Sequence, residues 1–286
     1  MDRMGEYSSR VFWRFISVEF GQYFFRWRWI IPIPIALLVA YITIGNVLGN
    51  ADNLSIASNI WDVIFSVFGN GYILFFVLNV VLIYLISDLP IESQYGELIV
   101  LRLNSRKQWW FGKILMLLIS VLLYLMINVI IFGAITSFVL PWQTNWSELM
   151  LKYPMEFYLN SQALSLSPFY AIIILMILLI LGWFGLGLAT ICLARFRNRS
   201  VVGFIFGLLI NTSGLIALKT GISPPLEYLF IDVHLLFNLH TFNGASSTYP
   251  SVIVSLVYWM IWIIIFLIIG FKICLPTDFL SKERGS

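Results

Sequence analysis

Asp232, His234 and His240 are the one short window in this chain that mixes a carboxylate with imidazoles. Such a set could hold a metal ion or perform acid–base hydrolysis at a membrane surface. The spacing argues against it. His234 and His240 are six apart, which does not put them on one face of a regular helix, and the His-Glu-x-x-His pattern of zinc hydrolases is absent. The favoured reading is polar groups of a loop, with no metal ligand and no catalytic residue assigned. There is no Gly-x-Ser-x-Gly nucleophile turn. Gly112-Lys113 looks like the end of a phosphate-binding loop, but Ile114 follows it and Lys107 stands where the earlier glycine is needed. Any nucleotide chemistry must therefore sit on another chain.

A second set of chemically competent residues lies in 88–113, DLPIESQYGELIVLRLNSRKQWWFGK. It holds Asp88, Glu92, Glu97, Arg102, Arg106, Lys107 and Lys113. Pro90 can begin a helix, with Ser87 or Asp88 as its cap. Ile91, Tyr95, Leu98 and Arg102 step by four, three and four and share a face. Acids come early and bases late, as the helix dipole favours. Trp109, Trp110 and Phe111 then return to the membrane interface, with Lys113 snorkelling to the headgroups.

These residues need elements to position them, and the composition says which. The chain has 286 residues, of which 60% are hydrophobic and 11% charged, and its mean hydropathy is +0.92. A soluble domain cannot cover that much apolar surface, whereas a bilayer can. Apolar segments at about 30–49, 62–87, 114–140, 169–194, 201–218 and 251–275 are each near the length of a spanning helix, and lipid admits helices rather than lone strands. Pro32 and Pro34 open the first, where a missing amide costs least. With the N-terminus inside, fifteen of the seventeen Lys and Arg fall in the inside segments, and only Lys152 and Lys219 fall outside. That bias predicts six spans with both termini cytoplasmic. The basic residues flank membrane segments, so nothing points to nucleic acid.

The flanking segments follow. Residues 1–29 read as an amphipathic interfacial helix with Arg10, Arg14, Ser17 and Gly21 on one face and Phe12, Phe15, Ile16, Tyr23 and Trp27 toward acyl chains. No small-residue cleavage site follows cleanly, which disfavours a signal peptide. The rings Trp142, Trp146, Tyr153, Phe157 and Tyr158 are expected to anchor an outer loop at the interface. Leu226 to Leu239 is too short to span and is read as a helix on or dipping into the outer leaflet. Residues 276–286 form a cytoplasmic tail. Cys192 and Cys274 make no disulfide framework. The sequons at Asn145 and Asn198 fall on opposite sides and carry no information.

The cores of the spans contain no ionisable residue, which disfavours ion-coupled carriers and pumps. They offer Asn70, Asn79, Asn128, Asn211, Thr212 and Ser213, read as interhelical hydrogen-bonding groups rather than substrate contacts. Gly203, Gly207, Asn211 and Gly214 form a small-residue seam, with Gly185 and Ala189 a second one. Two uses stay open: packing within one subunit, or an interface between subunits.

The order of residues in 88–113 resembles the cytoplasmic loop of type-2 ABC exporter permeases. That family places a glutamate, a glycine four residues on, a leucine-rich turn, Ser-Arg and a closing Gly-Lys. Here these are Glu92, Gly96, Leu101 to Leu103, Ser105-Arg106 and Gly112-Lys113. Glu97 replaces a frequent threonine, and Arg102 interrupts the leucines. The motif spans about 22 residues; the layout of helices agrees along the whole chain. The resemblance implies an all-α permease subunit of a cell membrane, of bacterial plasma-membrane type. Its partners would be a second permease, identical or homologous, and separate ATPase subunits that bind ATP and Mg. The chain itself would carry no cofactor and no enzymatic activity. The coupling residues would be Glu92, Tyr95, Gly96, Leu98, Arg102, Ser105 and Arg106, and the cargo an amphipathic molecule such as an antimicrobial peptide, a drug or a lipid.

Overall fold

The structure, a computed structural model, describes residues 2–92, 106–220, 224–242 and 249–274. It is all-α, 81% helical, and the described residues contain no strand. The helices are α1 (Asp2–Phe24), α2 (Pro32–Leu54), α3 (Ile60–Phe68), α4 (Gly71–Ile86), α5 (Arg106–Ser137), α6 (Glu148–Lys152), α7 (Pro168–Arg197), α8 (Ser200–Thr220), α9 (Pro224–Glu227), α10 (Ile231–Leu235) and α11 (Val252–Cys274). Among the described residues four are long and apolar enough to cross a membrane: α2 with the short turn before it, α5, α7 and α11. A fifth exists if α3 and α4 count as one span. The chain is thus built as a multi-pass membrane protein. The described apolar part of α8, Ser200–Ile216, is shorter than the other spans.

Local chemistry explains the helix ends. Pro32 sits in the first turn of α2, as expected, and Ser55 closes that helix in the left-handed region. Ser167 Oγ accepts from the Tyr170 amide and Pro168 begins α7, which ends on left-handed Asn198. At α3, Asn59 Oδ1 accepts from the Trp61 amide at 3.0 Å, while the Asn59 amide donates to Asp62 Oδ2 at 2.7 Å.

α7 is the central post. It packs on α11, α8 and α5, and α5 packs in turn on α2 and α1. Glycines set the close approaches. A Cβ on Gly203 would meet Ala194 Cβ at 2.5 Å, and one on Gly207 would meet Thr190 Oγ1 at 2.7 Å. The seam along α8 is therefore filled from within the chain by α7, and Gly214 lies against Asp232. Asn211 faces inward too, so this stripe presents no surface for a second subunit. Gly185 likewise receives Trp259 and Trp262 of α11.

The second apolar segment departs from its expected form. Residues 62–87 are not one rod. The chain breaks at Gly69-Asn70, bends by 55°, and continues through a π turn at Leu74–Leu78. A π turn frees carbonyls inside apolar surroundings, and they need donors. Asn211 Nδ2 donates to Phe75 O at 2.7 Å and Tyr124 OH to Leu78 O at 2.9 Å. Asn79 completes the network, giving to Asn211 Oδ1 at 2.7 Å and receiving Trp183 Nε1 at 2.7 Å. Asn79 and Asn211 are thus interhelical ties, as their residue type suggests. Asn128, Thr212 and Ser213 instead bond back to their own helices.

The segment from Leu226 to Leu239 is also not one helix. It folds as the ends of α9, then α10, then a 3₁₀ turn at Phe237–Leu239. Residues 231–237 are buried, with α10 lying against α7, α8 and α11. Irregular backbone survives here because protein surrounds it. Two expected interfacial rings are internal as well. Trp146 and Phe157 are buried, and Trp146 Nε1 donates to Leu166 O at 2.7 Å, while Trp142 stays exposed.

Candidate functional site

One end of the bundle gathers the charged residues that flank 93–105. The N-terminal helix is brought there by shape. Gly112 has no side chain, and Phe15 of α1 occupies the room a Cβ would need. The face of α1 carrying Phe15, Ile16, Glu19 and Tyr23 is buried, while Arg10 and Arg14 stay exposed. The arginine face is as expected. The rings Phe15 and Tyr23 turn into the protein rather than toward acyl chains: α5 offers a glycine notch for Phe15, and the Tyr23 hydroxyl finds the Leu85 carbonyl.

That docking creates a buried ionic cluster. Lys113 Nζ lies 2.7 Å from Glu19 Oε2 and 2.8 Å from Glu92 Oε1. Trp109 Nε1 donates to the same Glu92 oxygen. Lys113 is only 1% exposed, so it does not snorkel to headgroups. Two carboxylates in reach replace the water it gives up on burial. The ammonium also lies 5.9 Å from the Phe15 ring and 5.7 Å from the Trp109 ring. Arg195, at the end of α7, covers Trp109 at 4.9 Å. Burial raises the pKa of the Glu19 carboxyl. The Lys113 ammonium pulls it back down, and Glu92 pushes it up again.

A second tie lies beside the first. Asp88 Oδ2 accepts from Arg26 at 2.9 Å and from Arg28 at 2.7 Å. Asp88 is therefore no helix cap, and Ser87 Oγ donates backwards to Tyr84 O at 3.1 Å. Residues 87–90 form a turn rather than the start of a helix. Tyr23 OH donates to Leu85 O at 2.5 Å. Trp109 and Trp110 are internal, not interfacial, and the Trp110 ring sits on Gly270 of α11; Phe111 is exposed as expected.

Of the expected coupling residues, Glu92 and Arg106 are described; Tyr95, Gly96, Leu98, Arg102 and Ser105 lie outside the described residues, as does the tail from 276. Arg106 is exposed at the start of α5. The Glu92 carboxylate is bonded to Lys113 and Trp109 of its own chain.

No family model, curated protein or solved structure matches this chain.

At the other end, α10 and α11 bring His234 and His240 together through a serine. Ser255 Oγ lies 2.8 Å from His234 Nδ1 and 2.8 Å from His240 Nε2. The remaining ring nitrogens face carbonyls, Tyr228 O at 2.9 Å and Leu236 O at 2.9 Å. Those carbonyls fix the tautomers, so each ring turns a lone pair to Ser255, whose single hydroxyl hydrogen serves one of them. Burial lowers the pKa of both rings, that of His240 to about 4. Asp232 does not join them. Neither of its carboxylate oxygens has a hydrogen-bond partner among the described residues. Burial pushes its carboxyl up to about 6; the nearby Asp232 and Val233 amides, too poorly aligned to bond it, offset this only in part. His234, His240 and Ser255 are all buried. Tyr258 stacks on His234 with ring centroids 3.9 Å apart. Sequence reasoning could not have found Ser255, which is one polar residue in an apolar helix. No group of three metal-ligating side chains occurs among the described residues.

Proposed function

We propose that this chain is the permease subunit of an ATP-binding-cassette exporter, moving an amphipathic substrate at the expense of ATP hydrolysed on a separate chain. In this reading α3 and α4 form one broken span and α8 another, giving six. Both termini are cytoplasmic, as the distribution of Lys and Arg supports. The complex holds two ATPase subunits and a second permease, identical or homologous, with ATP and Mg bound by the ATPases.

The observation that carries the reading is the Glu92–Lys113–Glu19 cluster. A loop on which another protein pushes must be rigidly anchored at both ends, or the push is absorbed locally. Glu92 precedes 93–105 and Lys113 follows it, and the two are bonded to each other and to α1. Asp88, tied to Arg26 and Arg28, adds the start of α2. Displacement of 93–105 is thereby delivered to α1, α2, α4 and α5 together. The hydrolase alternative has less support, since Ser255, His234 and His240 are sealed from any substrate.

The test is affinity purification of the tagged chain from its host membrane, followed by export in vesicles. A nucleotide-binding ATPase should co-purify in about equal amount, and charge reversal at Arg102 and Arg106 together should release it while leaving membrane insertion intact. Absence of any ATPase, or export that survives the reversal, would overturn the reading.

A further inference from the structure

A cavity of about 360 Å³ opens between α2, the break between α3 and α4, and the loop that carries residues 156–158. That volume lies at the lower end of small-molecule sites, roughly 300–1,000 Å³. Its first wall is a face of α2 bearing Thr43, Asn46, Asn50 and Asn53, a spacing of three, four and three that keeps the four side chains in line. Gly45 and Gly49 lie on the same wall with no atom within 4 Å of an added Cβ, so the helix is bare there. Its second wall is Ser66 and Asn70 at the break. Its third is Glu156 to Tyr158, held close because Gly69 admits Tyr158 O, which a Cβ would meet at 2.6 Å.

The form of the backbone marks this as a site. The span is interrupted where it lines the cavity, around Asn70, and interrupted backbone in a membrane protein is tolerated where it lines a cavity; transporter sites are built this way.

The lining specifies the ligand. Asn46, Asn50 and Asn53 offer amides, Thr43 a hydroxyl, and Asn70 the NH2 of an amide whose oxygen caps its own helix. Among the described residues the lining contains no Lys, Arg or His, and its one charge is the exposed carboxylate of Glu156. Phosphate and carboxylate ligands call for cationic donors, which this wall lacks. Neutral groups that both donate and accept suit hydroxyls. We propose that this cavity binds the uncharged, hydroxyl-rich headgroup of an amphipathic molecule, of saccharide type. Asn46, Asn50 and Asn53 recognise hydroxyls, and Glu156 at the rim repels anionic headgroups. Calling this molecule the cargo rests on the exporter reading; the binding does not, and it is tested on this chain alone.

The experiment places the purified full-length chain in phosphatidylcholine nanodiscs with a diglucosyl diacylglycerol or with phosphatidylglycerol, and counts retained lipid by native mass spectrometry. The glycolipid should be retained about tenfold more strongly than phosphatidylglycerol. Asn46→Leu with Asn50→Leu, and separately Gly49→Leu, should each abolish that preference. Gly49→Leu projects into open space and so fills the cavity without disturbing the fold. Displacement by free maltose would assign recognition to the headgroup alone; retention despite maltose would assign it to a lipid-borne headgroup. Equal retention of both lipids, or a preference unchanged in Gly49→Leu, would overturn the proposal. An exporter that fails to co-purify with an ATPase yet shows the preference would sink the transport reading and leave this one standing.

Discussion

Lys113 Nζ sits 2.8 Å from Glu92 Oε1, so the residue before 93–105 and a residue in the second turn of the helix after it are joined inside the protein. Glu19 from a third helix completes the contact at 2.7 Å. Removing the cation should cost more than removing either acid. Lys113→Met leaves two buried carboxylates facing each other and is expected to lose roughly 3–5 kcal/mol. Glu92→Gln leaves Lys113 paired with Glu19 and should lose on the order of 1 kcal/mol. Thermal unfolding in detergent gives the ranking; equal losses would mean that the cluster does not act as a unit.

Gly112 is the notch that lets α1 dock. Gly112→Val forces Phe15 out of the space it occupies and should detach α1, leaving Lys113 open to water. A cysteine pair bridging α1 and α5 should then cross-link poorly in the variant. Gly45→Ala, which meets no atom within 4 Å, is the contrasting substitution and should be neutral or gain a few tenths of a kcal/mol to about 1 kcal/mol. Unimpaired cross-linking in Gly112→Val would show that α1 is held by other contacts.

Asn211 and Asn79 should behave as one unit. Asn211→Leu strands Phe75 O and one side of Asn79 and is expected to destabilise by about 1–3 kcal/mol. Asn79→Leu strands Trp183 Nε1 as well. The double variant should cost less than the two singles added together. Strict additivity in unfolding measurements would contradict a shared network.

Asp232 makes stability fall as pH rises. Its folded pKa is about 6, above the ordinary value of 3.8. Below about pH 3 the carboxyl is neutral in both states; between about 3 and 6 the unfolded chain ionises first. The loss above pH 6 is roughly 2–3 kcal/mol. His240 works in the opposite sense. Its folded pKa, about 4, lies below the ordinary 6.5, so its share is present above pH 6.5 and is lost as pH falls toward 4. Asp232→Asn should therefore match the parent near pH 3, exceed it at pH 7.5, and retain only the acid-side fall. Parallel melting profiles for parent and variant between pH 4 and 8 would refute this.

Much of the fold could be read from residue order. Hydrophobic runs are long, and their chemistry repeats at every position, so α2, α5, α7 and α11 lie where hydropathy puts them. Prolines and caps act within a few residues, which is why the start of α2 was legible at Pro32. The break at Gly69-Asn70 was not. Glycine and asparagine in an apolar run are compatible with a straight helix, and the close approach of Tyr158 O to Gly69 at the bend is a contact between residues far apart in the chain. Nor could the sequence decide between the two uses of the Gly203 seam, since any small-residue stripe admits either partner.

The sequence alone determined that the chain belongs in a membrane, that the cores of its apolar segments carry amides and hydroxyls rather than ions, and that its basic residues cluster between particular helices. These follow from composition and short-range order. Tertiary structure alone decided where side chains with two possible fates went. Lys113 could have reached water, and Trp109 the interface. Both are internal because a glycine notch brought α1, and with it Glu19, to within hydrogen-bonding distance. A lysine's destination depends on which carboxylates come near it, and nearness between residues 19, 92 and 113 is a property of the packed helices.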